Sequence, residues 1–394
     1  MAKGIYLGID SLSRKVKKMY LGIEGVARKV KKGYIGINGI ARLFFAGGGA
    51  PVYAGRTTSS QRIGEEGVCA DIGKYGVIVS PTAKGEANIE GNMYAVDNEL
   101  TVTVQSITNQ HHDGDVAPGN EGAIFGGGGD TFASSSVAEW LDSELSFTPV
   151  QNLPSPSHGC DSGVTPSFGI FVGGQAGGAA SLNQDVTAYE LSTRAQTILS
   201  DYPWPHMNGA ASSTKNHLVI YGGREKPGIG GSIPMQCVAY SDDLTTIDLT
   251  SALSEIPGNY DASGATADYG AVFAGGMAPP SSRSLKNVVV YDDALTMTQL
   301  ENLDASGWLM GAFGLGESAF FGGGISGNTS SYNARTQDVY EYDSDMTKSR
   351  HQSVFSRGRS QINSFTIGQE IGAFAGGSIS DREWSKEIDY YTLE

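Results

Sequence analysis

The sequence predicts an all-β protein in two parts, a closed ring of seven four-stranded blades behind a small arm of β-hairpins. Three observations predict it. Glycine supplies 55 of 394 residues, roughly twice the usual share of about 7%, and it recurs in pairs inside short apolar runs. Residues 1–45 repeat with a period of 14, and residues 46–394 repeat with a period near 50. Apolar residues in the short repeat alternate, the spacing of a strand and not of a helix.

The arm, residues 1–45, comes first. The segments "GIYLGIDSLSRKV", "KMYLGIEGVARKV" and "KGYIGINGIARLF" align without slippage. Tyr6, Tyr20 and Tyr34 form one column, and Arg14, Arg28 and Arg42 another. Ile5, Leu7 and Ile9 alternate with other residues, as do Leu21 with Ile23 and Ile35 with Ile37. Between the half-units lie "DS", "EG" and "NG", and Asn-Gly is a strong two-residue hairpin signal because both turn positions need positive φ. Lysine pairs, beginning at Lys17 and Lys31, mark the opposite ends. Isolated hairpins are marginal in water, so these three are expected to add to something larger, another copy or a host structure.

The ring, residues 46–394, shows two columns. One is an apolar run ending in glycines: "GAIFGGGG", "FGIFVGG", "HLVIYGG", "YGAVFAGG", "ESAFFGGG" and "IGAFAGG", with "YGVIVSP" as a seventh that lacks them. The residues before each pair, Val79, Phe125, Val172, Tyr221, Ala274, Phe321 and Ala375, stand 46 to 54 residues apart. The second column reads "YAVDNELT", "EWLDSELS", "TAYELST", "AYSDDLT", "VYDDALT", "EYDSDMT" and "DYYTLE", anchored at Val96, Leu141, Tyr189, Tyr240, Tyr291, Tyr342 and Tyr390. Seven units of this length point to a seven-bladed β-propeller. The two columns resemble the kelch family, whose blades pair a Gly-Gly-ending second strand with a Tyr-Asp third strand. The resemblance implies that same fold over about 350 residues. This chain departs from it in lacking the usual fourth-strand tryptophan. The last unit is two strands short, and "PVYAGRTTSS" near residue 51 is expected to supply its outer strand, hiding an open edge.

In such blades the a–b and c–d turns share one end of the ring, and the b–c and d–a loops share the other. The first set is short and the second long and polar, so recognition is expected at the long-loop end. Candidate binding residues there are Trp204, His206, Arg224, Tyr260, Trp308, Tyr332, Arg335, Arg382 and Trp384. Aromatic planes beside Arg, Asn and Asp suit sugar rings, which stack through C–H faces and hydrogen-bond through hydroxyls. Trp140 falls where the third strand has Tyr and is expected in the core.

Charge divides the chain. Residues 1–45 hold ten Lys and Arg against Asp10 and Glu24, a net +8, and the remainder is net −23. Ordered strands with Tyr and Gly columns favour an assembly arm over a nucleic-acid-binding one. Cys69, Cys160 and Cys237 are odd in number and far apart, neither a disulfide framework nor a zinc spacing. No stretch reaches the ~18 apolar residues of a membrane helix, and "MAKGIYLGID" lacks the apolar core of a secretory leader. "NQHHDGD" sets His111, His112, Asp113 and Asp115 together, but adjacent histidines rarely converge on one ion, and a solvated loop is expected. His158 near Cys160 has no third partner at a recognisable spacing. No catalytic motif emerges, and neither an enzyme, a cofactor nor a metal is expected.

The opening repeat also resembles the short "GYIGINGIARLF" units at the start of structural proteins of Gram-positive phages and prophages. That resemblance implies a virion or phage-tail-like particle component, made in the bacterial cytoplasm. Its mounting arm would use Tyr6, Arg14, Lys17, Tyr20, Arg28, Lys31, Tyr34 and Arg42 to meet other virion or tail proteins. A homo-oligomer, a trimer among the options, and binding of host cell-surface carbohydrate by the propeller are the expectations. Two alternatives stay open: a head-fibre, collar or decoration protein with a structural propeller, and a polysaccharide-acting enzyme.

Overall fold

The computed structural model describes the backbone of strands within residues 6–46. It describes residues 50–393 except 65–66, 82–90, 120, 130–133, 177–180, 226–235, 254–257, 279–282, 328–333 and 381–382. The chain divides into two compact units, Met1–Val52 with Leu393–Glu394, and Tyr53–Thr392.

The first unit contains three antiparallel hairpins: Tyr6–Ile9 with Leu12–Lys15, Met19–Ile23 with Val26–Val30, and Lys32–Ile37 with Ile40–Ala46. Their registers are equivalent. Leu7 faces Arg14, Leu21 faces Arg28 and Ile35 faces Arg42, and two residues separate the strands each time, as in Ile9↔Leu12. Lys17 and Lys31 lie outside the described residues.

The second unit is the ring of seven blades. Blade 1 is Val68–Asp71, Tyr75–Val79, Asn92–Asp97 and Val102–Ser106; blade 2 is His112–Pro118, Gly122–Gly129, Ala138–Asp142 and Phe147–Pro149. Blade 3 is Asp161–Val164, Phe168–Val172, Val186–Glu190 and Gln196–Ile198; blade 4 is Ala210–Ser213, His217–Tyr221, Cys237–Ser241 and Thr246–Asp248. Blade 5 is Ser263–Ala267, Gly270–Ala274, Val288–Tyr291 and Met297–Gln299; blade 6 is Gly311–Leu315, Ser318–Gly322, Val339–Tyr342 and Lys348–His351. Blade 7 takes Asn363–Ile367, Ile371–Ala375 and Glu387–Leu393 from the end of the chain and Pro51–Thr58 from before blade 1, so the last unit is one strand short and not two. Each first strand lies beside the next blade's first strand, and blade 7 meets blade 1.

Both faces of a blade are covered, which is why the second strands read as unbroken apolar runs. In blade 4, Val219 and Tyr221 pack toward blade 5 while Leu218 and Ile220 pack toward blade 3. The same division recurs at the other aliphatic interfaces. Between blades 6 and 7 the filling is aromatic: Phe313, Phe320, Phe374 and Tyr391.

Two expectations shift by one residue. In "GAIFGGGG" the left-handed pair is Gly127 and Gly128, because Gly126 stays in the strand opposite Asp115. In blade 7 the buried column tyrosine is Tyr391 and not Tyr390. Gly372, four residues before its glycine pair, faces Tyr391, as Ala271 faces Tyr291 in blade 5. Pairing with the second strand selects between adjacent tyrosines.

The Asp of the c–d turns has a local cause. Asp97 Oδ1 accepts from the N–H groups of Glu99 and Thr101 at 2.9 and 2.8 Å. Asp142, Asp292 and Asp343 cap their turns the same way. This lets Leu100, Leu145, Leu295 and Met346 take φ of 60° to 64°, a conformation L residues otherwise avoid.

Candidate functional site at the long-loop end

At the long-loop end, each d–a segment sends one residue to an equivalent place. The N–H of the second glycine of one blade donates to a carbonyl leading into the next: Gly128 to Ser157, Gly174 to His206, Gly223 to Asn259, Gly276 to Gly307, Gly324 to Arg359 and Gly377 to Gly64, at 2.7–3.1 Å. Blade 1 has Pro81, which lacks an N–H, in place of the second glycine; Ser80, in place of the first, makes the link instead, its Oγ accepting from the N–H of His111 at 2.9 Å. Four side chains of this column plug the carbonyl of the first glycine in their own blade. Ser157 Oγ donates to Gly173 at 2.7 Å, Asn259 Nδ2 to Gly275 at 3.2 Å, Arg359 to Gly376 at 3.1 Å, and His111 Nδ1 lies 3.1 Å from the Gly127 oxygen. A buried carbonyl left unpaired costs about 1–3 kcal/mol, so polar residues in these loops serve the ring first.

This corrects the solvated reading of "NQHHDGD". His111 is fully buried, with Nε2 at 3.3 Å from Glu139, whose other oxygen accepts from Asn109. The hydrogen bond to His111 holds the Glu139 carboxyl below the usual carboxylate range. Among the described residues, no three His, Cys, Asp or Glu side chains converge on a point fit for a metal.

Two residues beyond the column, a second set forms the inner rim. Asp113, Gly159, Asn208, Asp261, Leu309 and Gln361 all have φ between 52° and 59°. The N–H groups of Gly159, Asn208 and Asp261 donate to the carbonyls of Asp113, Gly159 and Asn208, and Gln361 donates to Leu309, at 2.6–3.0 Å. Asn208 Nδ2 donates to Asp261 at 3.0 Å, and Arg224 reaches the other Asp261 oxygen at 3.2 Å. The Arg224 guanidinium lies 3.8 Å over the Tyr260 ring, a cation–π arrangement. Burial pushes the Asp261 carboxyl up, Arg224 and Asn208 oppose that, and Asp113 adds to it. Carboxylate, amide and guanidinium together offer the mixed donors and acceptors that hydroxyl groups require.

The seven described candidate residues do not share one surface. Arg224 and Tyr260 come together, and Trp204 meets Tyr202 edge-on at 6.1 Å. Contrary to expectation, His206, Tyr260 and Trp384 are buried, at 0%, 1% and 4% exposure. The reason is that d–a loops bridge onto b–c loops, as in Met207↔Arg224, Tyr260↔Met277 and Trp308↔Ile325. His206 turns inward and its Nε2 bonds the Asp161 carboxylate. Arg335 donates to Ser360 and Ser378, each at 3.1 Å, and staples two loops. Trp308 is half-buried. Tyr332 and Arg382 lie outside the described residues. Asp113, Asn208 and Asp261 were missed as a rim. Their signal is the Asp, Gly or Asn in "HHD", "SHG", "HMN" and "NYD", residue types that tolerate left-handed backbone.

Trp140 is in the core, 5% exposed, with Arg194 4.5 Å over its ring. Cys69, Cys160 and Cys237 are all free thiols. Burial pushes Cys69 and Cys237 up to about 12 and raises Cys160 as well, with Asp115 and Asp161 adding to the last. Because the thiolate is the reactive form, none of the three should react with a thiol reagent at pH 8 while the protein is native. All three should react in denaturant; fast labelling of native Cys160 would contradict the buried arrangement.

No protein-family model and no curated protein matches the chain. It is similar to a solved structure titled "Structure of YjhT", with a TM-score of 0.54 and 14% identity over 70% of this chain and 93% of that one. At that identity the likeness is one of fold, a seven-bladed β-propeller.

Proposed function

We propose that the protein is a structural component of a bacteriophage or phage-tail-like particle, a tail-fibre or receptor-binding subunit with a kelch-type propeller. Its basic arm attaches to other particle proteins or to further copies, and the long-loop rim binds host cell-surface carbohydrate. One observation carries the reading. The outer strand of the closing blade begins at Pro51 beside the third strand's end, so the chain joins the ring at the short-turn end. The long-loop rim is thus at the end of the ring opposite the one where the chain enters it, which suits display. The 14-residue repeat, resembling those of phage structural proteins, and the charge division support it too. Several copies on one particle convert weak contacts into avidity.

The test is a glycan array and host-wall binding assay with the full chain and with residues 46–394. The shortened protein should stay folded and monomeric, binding single sites as the full chain does but losing avidity on dense surfaces. Arg224→Met or Asp261→Asn should weaken binding about tenfold, the loss of one charged hydrogen bond worth about 1.4 kcal/mol. Absence of binding to any wall glycan would defeat the carbohydrate reading. A head-fibre, collar or decoration protein with a structural propeller is then the better description, and the burial of His206, Tyr260 and Trp384 favours it.

A further inference from the structure

The short-turn end, bare of loops, is strongly charged. The a–b and c–d turns with the strand residues at their feet hold 16 Asp and Glu against Lys74, Arg194, Lys215 and Lys348. That net −12 is about half of the ring's −23. The capping aspartates hold two N–H groups each, and the second acid of most turns does not. Glu99, Glu121, Asp243, Asp268, Asp292, Asp345 and Glu370 are exposed and spread over six blades; Asp292 among them is a cap, and Asp243 accepts from the N–H of Thr245 at 3.2 Å. Lys74 reaches Glu144 at 3.0 Å. Like charges gathered on one face repel and destabilise the compact state, so the arrangement calls for a polybasic partner.

We infer that the short-turn face of one copy receives the basic hairpin arm of a second copy. Residues 1–45 carry the complementary charge, +8, in three hairpins of equivalent register. Each hairpin is a separate two-stranded sheet and gains from a surface to lie on. The acidic residues circle the ring, whereas the chain joins it at one blade's rim, which favours exchange between copies. Such a contact is heterologous, each copy giving its arm to the next, and it propagates or closes according to the rotation per step. The inference is independent of any carbohydrate ligand.

The experiment is sedimentation velocity of the full chain at low and high salt. Three proteins are compared: wild type, a face variant (Glu99→Gln, Glu121→Gln, Asp268→Asn, Asp345→Asn, Glu370→Gln) and an arm variant (Lys17, Lys18, Lys31 and Lys32→Gln). Wild type should self-associate at low salt and dissociate as salt shortens the Debye length below about 10 Å. Either variant should weaken association about tenfold or more and flatten its salt dependence, with circular dichroism and thermal melting confirming an intact ring. A wild type that is monomeric at low salt would overturn the proposal, including the case of an arm held on its own ring. So would a face variant that assembles like wild type, which would mean arm-to-arm association, or one that assembles more readily, which would mean the carboxylates serve solubility.

Discussion

Replacing Asp389 by alanine should destabilise the ring by about 3–5 kcal/mol, the cost of removing one partner of a buried ion pair. Asp389 and Arg359 are both fully buried and bonded to each other in blade 7. Burial lowers the Arg359 guanidinium from its usual range, and the Asp389 carboxylate opposes that. The same carboxylate accepts from Arg56 Nε at 2.7 Å and from the Tyr53 hydroxyl at 3.1 Å. Burial, then Asp389, push the Tyr53 phenol up to about 12. Arg56 and Tyr53 belong to the strand that closes the ring from the other end of the chain. One substitution therefore strands a buried cation and loosens the closure together. Urea denaturation of Asp389→Ala should show the loss, and the double variant Arg359→Met/Asp389→Ala should recover part of it, since no fully buried charge is left unpaired and the partly exposed Arg56 keeps Glu387 at 3.6 Å. A midpoint within error of wild type for the single variant would refute this account of closure.

Gly275→Ala should cost at least about 3 kcal/mol. Gly275 has φ of 69°, which costs an L residue roughly 1–2 kcal/mol. An added Cβ would also lie 2.2 Å from the Gly307 carbonyl oxygen and 2.7 Å from the Met310 methyl, so the lead-in to blade 6 must move. Displacing it breaks the 2.9 Å bond from Gly276 to that carbonyl. Blade 1 supplies the control. Ser80 holds the equivalent position at φ 48° and bonds His111 through its hydroxyl, so Ser80→Gly exchanges backbone strain for one lost hydrogen bond. That change should stay within about 1 kcal/mol of wild type. Equal losses at Ser80 and Gly275 would show that the glycine pairs are not constrained by the neighbouring blade.

Seven blades were legible because the second strand is buried on both faces, so every repeat needs the same apolar run, and six of the seven end it with the same glycine pair. The closing strand was legible for a related reason: the last repeat runs out of chain while "PVYAGRTT" has no partner near it. Register within a repeat was less so. Three or four consecutive glycines, or two tyrosines at 390 and 391, look alike until the facing strand picks one. The candidate site was read least well. Trp384, Tyr260 and His206 sit in polar segments that look like exposed loops. Whether such a loop stands out or folds back depends on its bridge to a loop 17 residues on, as between Tyr260 and Met277.

By itself, then, the sequence determined the all-β class, the blade count, the closure and the charge division, because these follow from periodicity and composition. Only the tertiary structure decided that His111, His206 and Arg359 are held inside the loop layer. It also decided that Asp113, Asn208 and Asp261 form a rim, and that carboxylates distant in sequence crowd one end of the ring. The physical reason is that a buried polar atom takes the nearest available partner, and in a ring that partner lies in a strand or a blade the local sequence does not specify.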